Sequence, residues 1–346
     1  MKQGRSSMIP YGRQSIGEDD IAAVAETLTS DWLTTGPKIQ EFEAAVCRLA
    51  GAEYGVAVSS GTAALHAAMF AIGIQPGDEV IVPAITFAAS ANCVVYQGGT
   101  PVFCDVDPDT LLIDLTHLEC LITPKTKAVI AVDYAGQPCD YKQLREITQR
   151  HLLYLISDAC HALGTPAGGD ITCYSFHPVK NITTGEGGMA VTDDPVLAAK
   201  MRSFRSHGME DGLMHSLGYN YRITDFQCAL GISQLKKLGG WIAERRAIAG
   251  EYDRRLAVEK VKQAHSVYHL YVVKVPNRDK VFREMRAHGI RVTVHYMPVF
   301  YHPFYRSYYR ANCPEAETAY KQILSLPVYP GFSEQDYVIK RLEELL

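Results

Sequence analysis

Tyr54-Gly55-Val56-Ala57-Val58-Ser59-Ser60-Gly61-Thr62-Ala63-Ala64 decides the fold class of this chain. Its first five residues are an apolar run of strand length, Ser59, Ser60 and Gly61 supply a polar turn, and 62–72 reads as a helix. The unit then repeats, with an apolar run at 79–82, a turn at 83–86 and a helix at 87–96. Further strand-like runs fall at 101–104, 128–132, 152–156, 173–176 and 189–192. Short β-rich runs alternating with helices predict an α/β domain with a mostly parallel sheet.

Upstream, Ile21, Val24, Ala25 and Leu28 share one helical face, and Ile39, Phe42, Val46 and Leu49 repeat the pattern before Gly51 stops it. These predict two amphipathic helices. The pattern changes after about residue 234: a long helix-like stretch over 225–255, a strand at 268–275, a helix at 280–288, a strand at 290–294 and helices near the end. The last opens with Ser333 three residues before Asp336, a capping-box spacing. The reading is a large domain over 1–235 and a smaller α+β domain over 236–346.

The 346 residues suit two domains at roughly 100 to 200 residues each. The 34 Lys and Arg against 38 Asp and Glu leave a net charge of -4, and 47% of residues are hydrophobic. That composition argues against disorder, collagen, a coiled-coil rod or a nucleic-acid binder. Met1 to Gln14 lacks the apolar core of a signal peptide, and no apolar stretch approaches the about 18 residues that span a bilayer, so a cytoplasmic protein without membrane contact is expected. The nine Cys at 47, 93, 104, 120, 139, 160, 173, 228 and 313 show no metal-ligand spacing and read as reduced thiols, several of them in the core; no metal is expected.

Four segments concentrate the residues that chemistry needs. Ser59 to Ala64 joins a strand to a helix, where Gly61 lets a ligand approach the backbone and the helix start suits a phosphate; alone, such a turn is commonplace. Leu155-Ile156-Ser157-Asp158-Ala159-Cys160-His161 ends an apolar strand at an acid, which either faces the crevice at the carboxyl ends of the strands or caps the next turn. Ser175-Phe176-His177-Pro178-Val179-Lys180-Asn181, followed by Thr183-Thr184-Gly185-Glu186-Gly187-Gly188, sets a lysine after a buried strand. Desolvated and deprotonated, that amine suits a Schiff base, whereas a lone Lys is usually a solvated surface group. Gly218-Tyr219-Asn220-Tyr221-Arg222 precedes a helix and alone reads as a loop.

In this order the segments resemble the sugar-nucleotide aminotransferases of the DegT/DnrJ/EryC1/StrS family. The resemblance runs over nearly the whole chain, from Ile9-Pro10-Tyr11 through Gly36-Pro37, Ser60-Gly61-Thr62, 158–163 and 175–188 to His295-Tyr296 with Pro298. It implies an aspartate-aminotransferase-like fold (type I), with a mostly parallel mixed sheet flanked by helices in the large domain, and pyridoxal 5′-phosphate (PLP) as cofactor. Lys180 would hold the cofactor and carry the catalytic proton, Asp158 would pair with the pyridine nitrogen, His161 would stand near the phenolic oxygen, and Phe87 would cover the ring. Gly61, Thr62 and Ser175 would receive the phosphate, joined by Asn220 from a partner subunit, which implies a homodimer with a shared site. Tyr11, Asp31, Trp32, Leu33, Thr34, His295 and Tyr296 match regions that line the sugar-nucleotide pocket.

Within the family, His177-Pro178-Val179-Lys180 with Ile182-Thr183-Thr184 is most similar to the enzymes of pseudaminic acid synthesis. That implies transfer from L-glutamate, leaving 2-oxoglutarate, to C4 of a UDP-linked 4-keto-6-deoxy-N-acetylhexosamine, giving UDP-4-amino-4,6-dideoxy-N-acetyl-β-L-altrosamine. Perosamine, desosamine and aminoarabinose transaminases share the cofactor set and stay open as sister readings. A dehydrating relative carries His in place of Lys180 and a nicotinamide enzyme needs GxGxxG after a strand, neither of which the sequence has; a non-catalytic regulatory or binding relative stays as a further alternative, although it is expected to lose Lys180 or Asp158 and both are here. Between Gly164 and Asp170, between Arg255 and His269, and around 210–216, the chain is shorter than the family pattern.

Overall fold

The computed structural model describes residues 8–309 and 311–346. Seven strands form one sheet in the order β1 (Tyr54–Val58), β7 (Gly188–Thr192), β6 (Ile171–Ser175), β5 (Tyr154–Asp158), β4 (Thr126–Val132), β2 (Glu79–Pro83) and β3 (Thr100–Cys104). The pairings among β2 to β6 are parallel, and β7 is antiparallel to both β1 and β6. Only β7 therefore runs against the rest. Alternate residues enter opposite cores: Val80, Val82, Ile130 and Ile156 pack on one face, Ile81, Val129, Ala131 and Leu155 on the other. A sheet buried on both faces is why these strands read as continuous apolar runs.

The crossovers between parallel strands are α3 (Gly61–Ala71), α4 (Ala89–Tyr96), α5 (Leu115–Leu121) and α6 (Tyr141–Arg150), with α7 (Pro195–Arg205) following β7. This is the mostly parallel mixed α/β sheet that the alternating runs predict. Its carboxyl ends gather the termini of β1, β2, β4, β5 and β6 and the start of β7 on one edge.

Helix α1 (Glu18–Leu28) forms, with the opposite face inward. Asp20 is fully buried, bonded to Lys237 Nζ and Gln234 Nε2 at 2.7 Å each, whereas Ile21 and Leu28 are 61% and 53% exposed. A buried, paired carboxylate sets its orientation, and the apolar stripe expected in the core lies outside. Helix α2 (Pro37–Ala50) buries Ile39, Phe42 and Val46 as expected, although Leu49 is exposed.

Beyond the short hairpin β8 (Met209–Glu210) and β9 (Leu213–Met214), the expected long helix is two, α8 (Asp225–Leu235) and α9 (Leu238–Arg255), broken around Lys236 and Lys237. A three-stranded sheet follows, β10 (Glu259–Lys260), β11 (Tyr271–Lys274) and β12 (Ile323–Leu326), accompanied by α10 (Arg278–Ala287), α11 (Pro303–Tyr308), α12 (Pro314–Tyr320) and α13 (Gln335–Glu343). The strand expected at 290–294 is absent. Ile290 and Thr293 make isolated bridges to Ile9 and Ser325, too few for a ladder. Nor does Ser333 cap the last helix, which starts at Gln335 with Glu334 at its N-cap, while the Ser333 hydroxyl meets the Glu334 carboxylate. All nine Cys are free, seven of them buried. Among the described residues no helix is long and apolar enough to cross a membrane.

Candidate active site

The strand ends enclose a cavity of about 670 Å³. Ser60, Gly61 and Thr62 enter it from the turn after β1, Thr86 and Phe87 from the turn after β2, Asp158 from the last residue of β5 with Cys160 and His161 just beyond, and Ser175 from the last residue of β6. Lys180 follows on the 176–187 loop, and Tyr11, His295 and Tyr296 close the opposite wall.

At the phosphate-like corner, Ser60 caps α3 by accepting the Ala63 amide at 3.1 Å, and the Ala64 amide bonds to the Ser60 carbonyl. The amides of Gly61 and Thr62 have no partner among the described residues, so two donors and the positive end of the helix dipole face the cavity. Glycine is required here by contact: a Cβ on Gly61 would stand 2.8 Å from Ser175 Cβ and 3.0 Å from Cys160 Sγ. Gly188 opposite is equally constrained, since its Cβ would run into the Ser60 carbonyl.

Asp158 is 6% exposed, with Oδ2 2.6 Å from Ser90 Oγ and Oδ1 3.2 Å from the Cys160 amide. Burial lowers the Lys180 pKa from the usual lysine value, with Cys160 and Asp158 pulling the other way, which shifts its amine toward the neutral, nucleophilic form. Its loop is braced: Thr183 Oγ1 and the Thr184 amide both bond to the Phe176 carbonyl, and the Phe176 amide bonds to Gly187 O. His161 Nε2 lies 3.0 Å from the Tyr296 hydroxyl, and its buried Nδ1 has no partner. Burial, then Lys180 and His295, hold His161 well below the usual histidine pKa, so it is neutral at neutral pH. Burial likewise pushes His295 down to about 3. The Tyr134 hydroxyl donates to the His295 carbonyl, His295 Nδ1 lies 2.8 Å from Ser325 Oγ, and the Tyr11 ring packs 4.9 Å from the His295 ring.

The cavity thus brings together Lys180, Gly61, Thr62, Phe87, Asp158, His161, Ser175, Tyr11, His295 and Tyr296. Asp31, Trp32, Leu33, Thr34 and Asn220 are not in its lining. Thr34 instead bridges Thr224, the Asp225 amide bonds to Leu33 O, and Asn220 is exposed in a strand-like bridge to Ser206. Sequence reasoning quoted His177 only within the Lys180 segment and gave it no place in the site, and it missed Thr86, His269 and His302 in the lining and Ser90 behind Asp158. Thr86 and Ser90 carried a signal, two hydroxyls one turn apart at the start of a helix after a strand, whereas His269 and His302 reach the cavity only through tertiary packing.

Residues 14–343 match the DegT/DnrJ/EryC1/StrS aminotransferase family. The chain belongs to this family. SpsC, a spore coat polysaccharide biosynthesis protein of Bacillus subtilis (strain 168), is 39% identical, covering 97% of this chain and 96% of its own. That match runs over 375 aligned positions, more than the 346 residues here, so this chain is shorter than its relative within the matched region. Among solved structures, Spr1654 of Streptococcus pneumoniae, described as a sugar aminotransferase, superposes at a TM-score of 0.94 in its PMP-form, with 31% identity over 98% of this chain and 97% of that one. Helicobacter pylori PseC, an aminotransferase of pseudaminic acid biosynthesis, superposes at 0.92, with 31% identity over 98% and 99%.

The fold is that of the type I PLP aminotransferases, and the chain is a PLP-dependent sugar aminotransferase of the DegT/DnrJ/EryC1/StrS family. The residues present fit the cofactor on their own chemistry: a helix start with two free amides and no room for a side chain, a buried acid at a strand end, and an amine whose pKa burial lowers.

Proposed function

We propose that this DegT/DnrJ/EryC1/StrS aminotransferase moves the amino group of L-glutamate to C4 of a UDP-linked 4-keto-6-deoxy-N-acetylhexosamine, the amino-transfer step of pseudaminic acid synthesis. The observation that carries aminotransfer is the convergence of Lys180 and Asp158 on one cavity roomy enough for a sugar beside a cofactor. The His177-Pro178-Val179-Lys180 run and the likeness to PseC support the choice of sugar.

When bound, PLP supplies an aldehyde for the amino group and a ring that accepts an electron pair. Gly61 and Thr62 amides and Ser175 would bind the phosphate, Asp158 would keep a proton on the ring nitrogen, Phe87 would cover the ring, and neutral His161, tied to Tyr296, would stand near the phenolic oxygen. Lys180 Nζ would hold the cofactor and, once released, would carry the proton between the substrate carbon and C4′ of the cofactor. Tyr11, His295 and Tyr296 line the sugar side. Asp31, Trp32, Leu33, Thr34 and Asn220 serve the site of a second copy, which makes a homodimer the active unit. In support, exposed apolar side chains sit on or beside those same segments: Trp32 and Leu33 on one, Leu217 and Tyr219 on the other.

The test is the product. Glutamate with the UDP-linked ketosugar is expected to give a 4-amino sugar by mass spectrometry and NMR. The identity to SpsC favours a second reading, a 4-amino sugar of another polysaccharide. Turnover only with a dTDP- or GDP-linked ketosugar would select it.

A further inference from the structure

Thr86 and Ser90 stand one helical turn apart where the chain leaves β2 and enters α4, and both are buried, Thr86 at 2% exposure and Ser90 at 0%. Ser90 Oγ lies 2.6 Å from Asp158 Oδ2, across 68 residues of chain, and Thr86 Oγ1 lies 2.7 Å from Ser90 Oγ. Counting protons orders this chain of oxygens. An ionised carboxylate has none to give, so the single Ser90 proton goes to Asp158, and Thr86 must donate to Ser90. The Phe87 carbonyl, 3.2 Å from Ser90 Oγ, is the longer and uncharged alternative. Ser90 therefore occupies Oδ2, while Oδ1 accepts the Cys160 amide, with the Cys160 thiol also bonded to the carboxylate, and Asp158 keeps lone-pair capacity for a donor in the cavity that it lines.

We propose that Ser90, backed by Thr86, is a positioning residue for the aminotransferase reaction: its hydroxyl fixes the Asp158 carboxylate, so that Asp158 holds the proton on the cofactor's ring nitrogen. The proposal rests on the reading of Asp158 given above. It also assigns the 86–90 segment two tasks, because Phe87, which lines the same cavity, lies between the two hydroxyls. A serine that only began a helix would bond backward to the Phe87 carbonyl and leave the cofactor's electronics alone.

The experiment compares the full-length chain with Ser90→Ala, Thr86→Val and Asp158→Asn. It reads the dissociation constant of PLP from the apoprotein, the pH midpoint of the bound cofactor's absorbance, and the apoprotein melting temperature. Ser90→Ala is expected to weaken PLP binding about tenfold, in line with other outer-shell partners of a ligating group. It is also expected to raise the absorbance midpoint by roughly half a pH unit or more, because a less firmly protonated ring leaves the Lys180 nitrogen more basic. Thr86→Val should move both in the same direction by less. If Asp158→Asn releases PLP while Ser90→Ala and Thr86→Val keep the parent's constant and midpoint, the positioning role is overturned and the reading of Asp158 stands. A fall in melting temperature alone overturns it in the same way. If Asp158→Asn itself binds PLP with the parent's affinity and spectrum, the underlying reading of Asp158 fails.

Discussion

Lys180 combines an amine that burial makes less basic with a braced loop that fixes where it opens onto the cavity. Lys180→Ala is therefore expected to lose covalently held cofactor on dialysis, followed by absorbance, and to reduce turnover by at least the 10² to 10⁴ of a positioned proton carrier, to about 10⁻² or below of the parent rate; an active variant would sink the assignment. Asp133 offers a prediction separate from catalysis. Burial pushes it up to about 7 from 3.8, although the Tyr141 hydroxyl and the Cys139 amide both bond to its Oδ1. Between those values the folded chain holds a proton that the unfolded chain has released, so this residue's contribution to stability is lost as pH rises through the window, on the order of 4 kcal/mol in all. Asp133→Asn cannot ionise. The melting-temperature gap between parent and variant should move in the variant's favour from pH 5 to pH 8, and a gap independent of pH would refute the shift. At this scale Lys180, Asp158 and Gly61 were legible in the sequence because Asp158 ends a strand and the other two follow one within a few residues, inside runs of small or polar residues. His269 was not, because it lies just before β11, over a hundred positions from His161, and only packing brings their rings to 4.4 Å.

Strands were the legible elements, since burial on both faces writes an apolar run into the sequence, and their order of alternation with helices follows from the crossovers that parallel pairs need. Helix faces were less legible. The periodicity of α1 is real, but Asp20, paired with Gln234 near the end of α8 and Lys237 at the break before α9, more than 200 residues away, decides which side is inward. No local pattern encodes that. The end of β1 and the start of α3 make a firmer prediction, because two glycines meet there. Gly188→Ala drives a Cβ into the Ser60 carbonyl, backbone that cannot swing away, and should cost about 1 to 3 kcal/mol of stability by chemical denaturation. Gly61→Ala presses on Ser175 and Cys160 side chains instead, so the fold should survive while the free amides beside it shift. The expected result is a soluble, folded variant whose PLP affinity falls at least about tenfold, since a charge-assisted bond to phosphate contributes roughly 1.5 to 3 kcal/mol. Unchanged PLP affinity in Gly61→Ala would move the phosphate elsewhere.

For the whole molecule, the decisive fact is that the predicted site residues fall into two sets. One set lines its own chain's cavity; the other, Asp31, Trp32, Leu33, Thr34 and Asn220, does not. The second set lies on segments that also expose apolar surface: the α1 stripe with Leu28, Trp32 at 55%, and Leu217 at 74% ahead of Asn220. Apolar surface of this kind marks an interaction face, and a second copy would satisfy both observations at once, covering the surface and receiving Asn220. Mixing decides it. Lys180→Ala and Asn220→Ala preparations, each inactive, form on subunit exchange a hybrid in which one site has a native Lys180 from one chain and a native Asn220 from the other. Random pairing puts roughly a quarter of all sites in that state, so activity should return toward about a quarter of the parent's. If mass spectrometry shows the hybrid has formed and activity stays absent, both residues act within one chain's site, and the exposed apolar face needs a different partner.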